Sequence, residues 1–569
     1  MHGIRSPCGR SPVHSPAPCR SQGASGEPPC GTDIAGVFAA ETGPEPTPAP
    51  RRPSLRRGGL LISITLDPTQ RRGQVAPDTP PIGLTDSAPH TAANRRPQQW
   101  SCLLRWIAFA VFCGMQVALI FGRHTAPFLD EGTYITAGLR TLEGHGFTDG
   151  YLTWFAGSLV WPILAAVGYE AGGLGLVGTR LIAFVCVLTG VAAAMQSVAD
   201  LYGERAALLS TLVLLPWGPL LALAHLGVYD ALAVTGVGLS LFAVVRSARR
   251  DHRGWIVAAA LALLLAIVAK YPAAAFAVAL AGLIVVLRGR SARIDVAIFS
   301  AVMLVGLQLV FLPQRSQLAA FLEWRVSNDP DFGVTASGIA LTLVWLLAVP
   351  MTLALLGTLT LPRRGVAIPL LLGGLLLPAW HVVAANSVGA SKHAVFSALL
   401  VAPLIGHGLN RIARRPAGVV VTVVVLSGAA VAGLTQMQLI DRQWADGRPA
   451  ANFLMRHVNS DDLVLLPVAW QYMPALYADG RLSSPWQVYD SYRVKHGQLD
   501  RPVCAVDWFV DEQRGNPWPR ALLVEIEACN AFEPVHRSVS TVTNLGTDLR
   551  LHSYDVVITI WRNTADERS

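Results

Sequence analysis

Between positions 103 and 440 the chain returns again and again to runs of about twenty apolar residues separated by short polar loops. A helix of that length crosses the ~30 Å hydrocarbon core of a bilayer, and only helices satisfy their backbone hydrogen bonds within one segment there. The fold class is therefore a polytopic α-helical membrane protein. Composition agrees: 52% of the 569 residues are hydrophobic and 14% are charged, against roughly 25% charged in soluble domains. Eleven spans are predicted, at 103–122, 174–198, 206–226, 228–246, 254–269, 271–288, 294–312, 336–361, 366–386, 394–409 and 418–440. The apolar segment 153–173 is broken by Pro162 and several glycines, and reads as a surface or re-entrant helix.

The formal charge of +8 does not point to nucleic acid, because the basic residues sit in short loops between apolar runs. "RRPQQWSCLLR" precedes the first span, and "RSARRDHRG" (246–254), "RGRSAR" (288–293), "PRRG" (362–365) and "NRIARRP" (410–416) follow. The positive-inside rule assigns such loops to the cytoplasm, and with the spans above all five fall on one side. The N-terminus is then inside, and the chain beyond the last span is outside.

Residues 1–99 are rich in Pro, Ser, Gly and Arg and bury too little apolar surface to fold, so they are predicted to be a disordered tail. They show no signal-peptide pattern, and "LLISITL" (60–66) is too short to span. The tail reads either as a basic cytoplasmic arm or as sequence upstream of the true start. The transmembrane domain is assigned to 100–440, with a first outer loop at 123–173. In 441–569 the β-branched runs "DLVLLPVA", "PVCAVDWFV", "ALLVEIEA" and "DVVITIW" alternate with helical stretches, which predicts a small extracytoplasmic α/β domain. Cys504 and Cys529 share that domain, and an oxidising space would allow them to bridge.

The polar residues that remain are the informative ones. Asp130 and Glu131 follow the first span, Asp230 lies in the hairpin "LGVYDALAV", Lys270 closes a span in "AKYP", and Lys392 and His393 open another in "SKHAVF". On the deduced topology all lie at the outer face, contributed by four separate segments. Charges near hydrocarbon are costly unless paired or hydrated. Taken singly, each has a plain explanation as a loop acid, a helix cap, a snorkelling lysine or an interfacial histidine. Arg180, just inside the second span, fits either anion binding or a buried pair with an acid such as Glu170 or Asp230. Tyr134, Ile135 and Leu139 give the acidic loop a membrane-facing helical stripe. Tyr134 and Tyr271 are further candidate substrate contacts.

The ordered set "PFLDEGTYITAG", "SLVWPILAAVGYEAGG" with "GTRLIAF", "VYDALAV", "AKYP" and "SKHAVF" resembles the membrane-embedded GT-C glycosyltransferases, in particular the protein O-mannosyltransferase and aminoarabinose-transferase branch. The resemblance covers about 100–410. It departs where Tyr-Pro follows the lysine in place of Gly-Pro, and where Lys-His stands in place of Arg-Tyr; both variants are similar to an actinobacterial subgroup. The resemblance implies transfer of a sugar, hexosyl or pentosyl, from a polyprenyl-phosphate donor to an acceptor hydroxyl on a glycan, lipid or protein. The reaction would take place with inversion at the outer face of a bacterial plasma membrane. It assigns Asp130 as general base, Glu131 and Asp230 as its catalytic partners, and Lys270, Lys392, His393 and Arg180 to the donor phosphate. It implies no certain cofactor, and leaves open a divalent metal held by the acids. The alternatives are a multi-span transporter, against which the one-sided placement of charge counts, and a non-catalytic lipid-binding membrane protein.

Overall fold

The computed structural model describes residues 92–565 except 123–126, 145–157, 317, 320–334, 362–363, 388, 469–470, 485–486, 491–493, 495–498, 500, 514–517 and 546–550. The predicted tail, including 60–66, lies almost entirely outside the described residues. Among those described, eight helical segments are long and apolar enough to cross a membrane. They start with α1 (Ala92–Gly122), which is followed by the loop helices α2 (Leu129–Leu142) and α3 (Trp161–Glu170). Then come α4 (Leu176–Tyr202), α5 (Glu204–Leu214), α6 (Gly218–Leu223), α7 (Asp230–Arg250), α8 (Gly254–Ala269), α9 (Phe276–Arg288) and α10 (Ala292–Phe311). The helical domain ends with α11 (Ala336–Thr360), α12 (Ala367–Val383), α13 (Ala390–Ile412) and α14 (Pro416–Asp441).

The difference from eleven predicted spans has local causes. One continuous apolar segment, Tyr271–Phe311, contains two of the predicted spans as α9 and α10, and α8 is a shorter apolar helix of 16 residues. The predicted span 206–226 is two helices, α5 and α6, because Pro216 falls in the break and Pro219 stands in the first turn of α6. Predicted re-entrant segment 153–173 contains the ten-residue α3, with Pro162 in its first turn, where a missing N–H costs nothing.

Ion pairs gather the basic loops at one end of the bundle. Asp200, at the end of α4, takes Arg246 at 2.8 Å and Arg249 at 2.9 Å from the end of α7. Asp295 takes Arg288 at 2.7 Å and Arg253 at 3.3 Å, and Arg105 of α1 reaches Glu204 at 3.2 Å. The N-terminal ends of α4 and α7 therefore lie at the opposite end, where the acids and lysines stand.

The C-terminal domain is a five-stranded mixed sheet of order β2-β1-β3-β5-β4. Its strands are β1 (Val464–Leu465), β2 (Val488–Tyr489), β3 (Trp508–Gln513), β4 (Phe532–Leu545) and β5 (Leu551–Asn563). β1 runs parallel to β2 and β3, and β5 runs antiparallel to β3 and β4. Side-chain alternation along the strands gives the sheet two apolar faces. Val464, Leu466, Trp508 and Val510 join one core with Leu454 of α15 (Arg448–His457), while Leu465, Phe509 and Trp518 join another with Leu522 and Ile526 of α17 (Arg520–Cys529). Cys504 and Cys529 form a disulfide that ties the end of α17 to the 3₁₀ turn Val503–Ala505, just before β3. Replacing both by serine should cost about 2–4 kcal/mol. An unchanged thermal unfolding midpoint, followed by tryptophan fluorescence of the purified protein, would count against the bridge.

Candidate active site

Asp130 and Glu131 lie in the first turn of α2, where exposed backbone N–H groups favour carboxylates. Glu131 closes that turn by accepting from the Phe128 amide at 2.7 Å. Its carboxylate is buried and also receives Arg180 of α4 bidentately, Nε on Oε1 and Nη2 on Oε2, both at 2.9 Å. The Gly227 amide, in the turn before α7, donates to Oε1 at 2.5 Å. A Cβ at Gly227 would lie 2.6 Å from Thr179 Cγ2 and 3.2 Å from Glu131 Oε1, so the backbone comes this close only because no side chain intervenes. The Gly227 carbonyl accepts from the buried Trp161 indole of α3 at 3.1 Å. One carboxylate thus joins α2 to α4 and to the turn before α7. The acid that Arg180 meets is Glu131, neither Glu170 nor Asp230.

A helix turns about 100° per residue, so Asp130 faces elsewhere. Its side chain is 29% exposed and ion-pairs with Lys392, in the first turn of α13. The Lys392 ammonium also lies 4.9 Å from the Phe128 ring centroid. Asp230 opens α7, is buried, and ion-pairs with Lys270, the residue that ends α8. Lys270 lies 4.6 Å from the Tyr229 ring centroid, and Tyr229 packs edge-on against Tyr134 at 4.7 Å. Gly389, at φ +74° just before α13, brings Lys270 beside His393, the neighbour of Lys392: a Cβ there would sit 3.7 Å from Lys270 Nζ and 3.6 Å from His393 Nε2. All four charged segments picked out in the sequence therefore meet.

Tyr134, Ile135 and Leu139 do not face lipid as predicted. They are buried because α2 packs its apolar stripe on α3. Tyr271 stands at the head of a 3₁₀ turn with 37% exposure.

Several neighbours carried no signal in the sequence. His381 of α12 puts Nε2 at 2.7 Å from His393 Nδ1 and Nδ1 at 2.5 Å from the Asn386 carbonyl. Trp444, just beyond α14, packs on Phe128 at 4.6 Å. These two rings, with Leu223, Leu226, Ile440 and Lys392, wall a pocket at the site. His225 lies between Asp441, at 3.0 Å, and Gln116, at 3.3 Å, which ties the end of α14 to α1. Tyr477 of α16 (Met473–Ala478) donates to Glu143, just past α2, so the C-terminal domain closes over the acidic loop. Burial, and then the Glu143 carboxylate, push the Tyr477 hydroxyl up to about 12, so it remains a donor at neutral pH. Among the described residues no group of three or more His, Cys, Asp or Glu is placed to hold a metal. The Glu131 carboxylate is already filled by Arg180 and two amides, and Asp130 faces a lysine, so this donor set does not fit a divalent ion.

Removing one member of a buried pair strands the other, a loss of about 3–5 kcal/mol. Arg180→Met should lower the thermal midpoint of detergent-purified protein accordingly, and Arg180→Met with Glu131→Leu should recover part of it. A single variant as stable as wild type would show that the pair does not organise the loop.

Residues 157–314 match the family model described as dolichyl-phosphate-mannose-protein mannosyltransferase. No curated protein matches the chain significantly. Among solved structures, ArnT from Cupriavidus metallidurans bound to undecaprenyl phosphate is similar with TM-score 0.50 and 17% identity, over 80% of this chain and 98% of that one. The same enzyme in its apo state is similar at 0.49 and 16%, over 80% and 97%. The arabinofuranosyltransferase AftD from Mycobacteria is similar at 0.46 and 16%, over 80% and 41%. The likeness to lipid-bound ArnT establishes the fold, and the family model covers the stretch that carries Arg180, Asp230 and Lys270. The chain thus resembles the GT-C glycosyltransferases of the ArnT and protein O-mannosyltransferase type.

Proposed function

We propose that this protein transfers a sugar from a polyprenyl-phosphate donor to an acceptor hydroxyl at the extracytoplasmic face of the cell membrane. The observation that carries the reading is the meeting of Asp130, Asp230, Lys270 and Lys392 at the end of the bundle opposite the basic loops, beside an apolar-walled pocket. A lipid-linked phosphate asks for that combination: cations at headgroup depth next to apolar surface. The lipid seen in the ArnT structure is a molecule of this kind. The Cys504–Cys529 bridge, in a domain that contacts the acidic loop, supports an oxidising compartment on the same side.

In this reading Lys392, on the pocket wall, receives the donor phosphate, with Lys270 behind it. Lys392 exchanges Asp130 for the phosphate, and that frees the one carboxylate of the pair that reaches solvent. Asp130 then takes the proton of the acceptor hydroxyl as its oxygen attacks the anomeric carbon. The bond from that carbon to the phosphate oxygen breaks, the lipid phosphate leaves with the electron pair, and a single in-line displacement inverts the centre. Glu131 and Arg180 hold the loop that carries Asp130, and Asp230 holds Lys270. Tyr134 supports this framework from within, and Tyr271 is open to a substrate contact.

Asp130→Asn should retain donor binding and lose transfer by about 10²–10⁴-fold, the usual size of general-base assistance. The test uses purified protein in lipid with radiolabelled polyprenyl-phosphate sugars. Turnover by the variant equal to wild type would sink the assignment of the base, and absence of binding to any such lipid would sink the reaction class.

A further inference from the structure

The sequence groups His393 with the cations, but its surroundings make it an acceptor. The Asn386 carbonyl can only accept, so His381 Nδ1 carries a proton and donates to it at 2.5 Å. In the neutral ring, His381 Nε2 is then bare and accepts from His393 Nδ1 at 2.7 Å. That in turn leaves His393 Nε2 bare. In the neutral pair the relay from the Asn386 carbonyl therefore sets the tautomer of His393, with the lone pair of Nε2 pointing away from His381. His393 is 4% exposed, and its Nε2 is buried with no hydrogen-bond partner. Asp230 Oδ2, on the carboxylate that holds Lys270, is also buried without one.

Lys270 Nζ and His393 Nε2 both stand over Gly389, where a Cβ would touch each of them at van der Waals distance. Gly389 is thus flanked by one ammonium donor and one bare acceptor, with a second bare acceptor on the lysine's own partner. A phosphate diester brings oxygens but no hydrogen, so it would satisfy the lysine and leave both acceptors unmet. A hydroxyl accepts from Lys270 and donates its one hydrogen to His393, so it meets the donor and one of the two acceptors. We infer that Lys270, His393 and Gly389 form a subsite for a ring hydroxyl of the transferred sugar, with His381 as its positioning residue, adjoining the phosphate site at Lys392. This inference rests on the proposed function and names the part of the donor that this side of the site reads.

The test is equilibrium binding of radiolabelled undecaprenyl phosphate, and of undecaprenyl-phosphate hexoses and pentoses, to the full chain in nanodiscs. Wild type should prefer one glycosylated lipid over the bare one. His393→Phe should bind that lipid about tenfold more weakly, the size of one hydrogen bond to a buried acceptor, while binding the bare lipid within about twofold of wild type. His393→Gln, whose amide oxygen can accept, should keep most of the preference. A monodeoxy version of the lipid should lose as much against wild type and nothing further against His393→Phe. Equal weakening of bare and glycosylated lipids by His393→Phe would overturn the subsite. So would a wild type with no preference among them, the result expected if water alone serves the two acceptors. A wild type that binds none of these lipids would instead overturn the proposed function itself.

Discussion

The arrangement depends on one buried contact, the Glu131 carboxylate held by Arg180 and by two backbone amides. Three chain segments from different parts of the sequence meet at this one group, and each meets it through a donor. Burying an ion pair is not in itself stabilising, since desolvation takes back much of the Coulomb attraction. What the pair gives is a unique position. Any shift of α2 along α4 would strand a charge in a low-dielectric interior, so the loop that carries Asp130 has one admissible register. Gly227 is the complement of this contact, because its amide can approach the carboxylate only where no Cβ stands between Thr179 and Glu131.

From that fixed loop the rest of the site follows as a division of labour between adjacent residues. Glu131 faces inward and is saturated, while Asp130, one residue earlier, faces the pocket and is 29% exposed. The lysines are divided in the same way. Lys270 is pinned between Asp230 and the face of Tyr229, whereas Lys392 sits at the pocket wall, held by the single partly exposed carboxylate and the Phe128 ring. In the proposed reaction Lys392 is the cation that exchanges its carboxylate for the phosphate, and of the two lysines it is the one with the more exposed partner.

The bundle, the C-terminal α/β domain and the acids and lysines that pair at one end of the bundle were all legible in the sequence, because apolar runs and misplaced charges are one-dimensional signals. The pairing was not. Nothing in "GTRLIAF" or "PFLDEG" says that Arg180 meets Glu131 and not Glu170, since both acids lie at plausible distances along the chain. The apolar stripe of α2 has a helical period whether it faces lipid or α3, so its burial could not be read from its pattern. His381 stayed hidden for a related reason. A lone histidine in an apolar span looks like an interfacial residue until the fold brings His393, twelve positions on, against it.

The C-terminal domain completes this picture by where it attaches. α14 ends at Asp441, which is locked by His225 to the same strand of chain that supplies Gly227. The next aromatic, Trp444, packs on Phe128 at the threshold of α2, and α16 returns to place Tyr477 on Glu143 at the far end of that helix. The domain therefore grips the acidic helix at both ends, and touches Lys392 through the pocket that Trp444 helps to wall. A cover fastened to both ends of the helix that carries Asp130 cannot shift without moving that carboxylate. Any movement of the C-terminal domain is thus mechanically connected to Asp130.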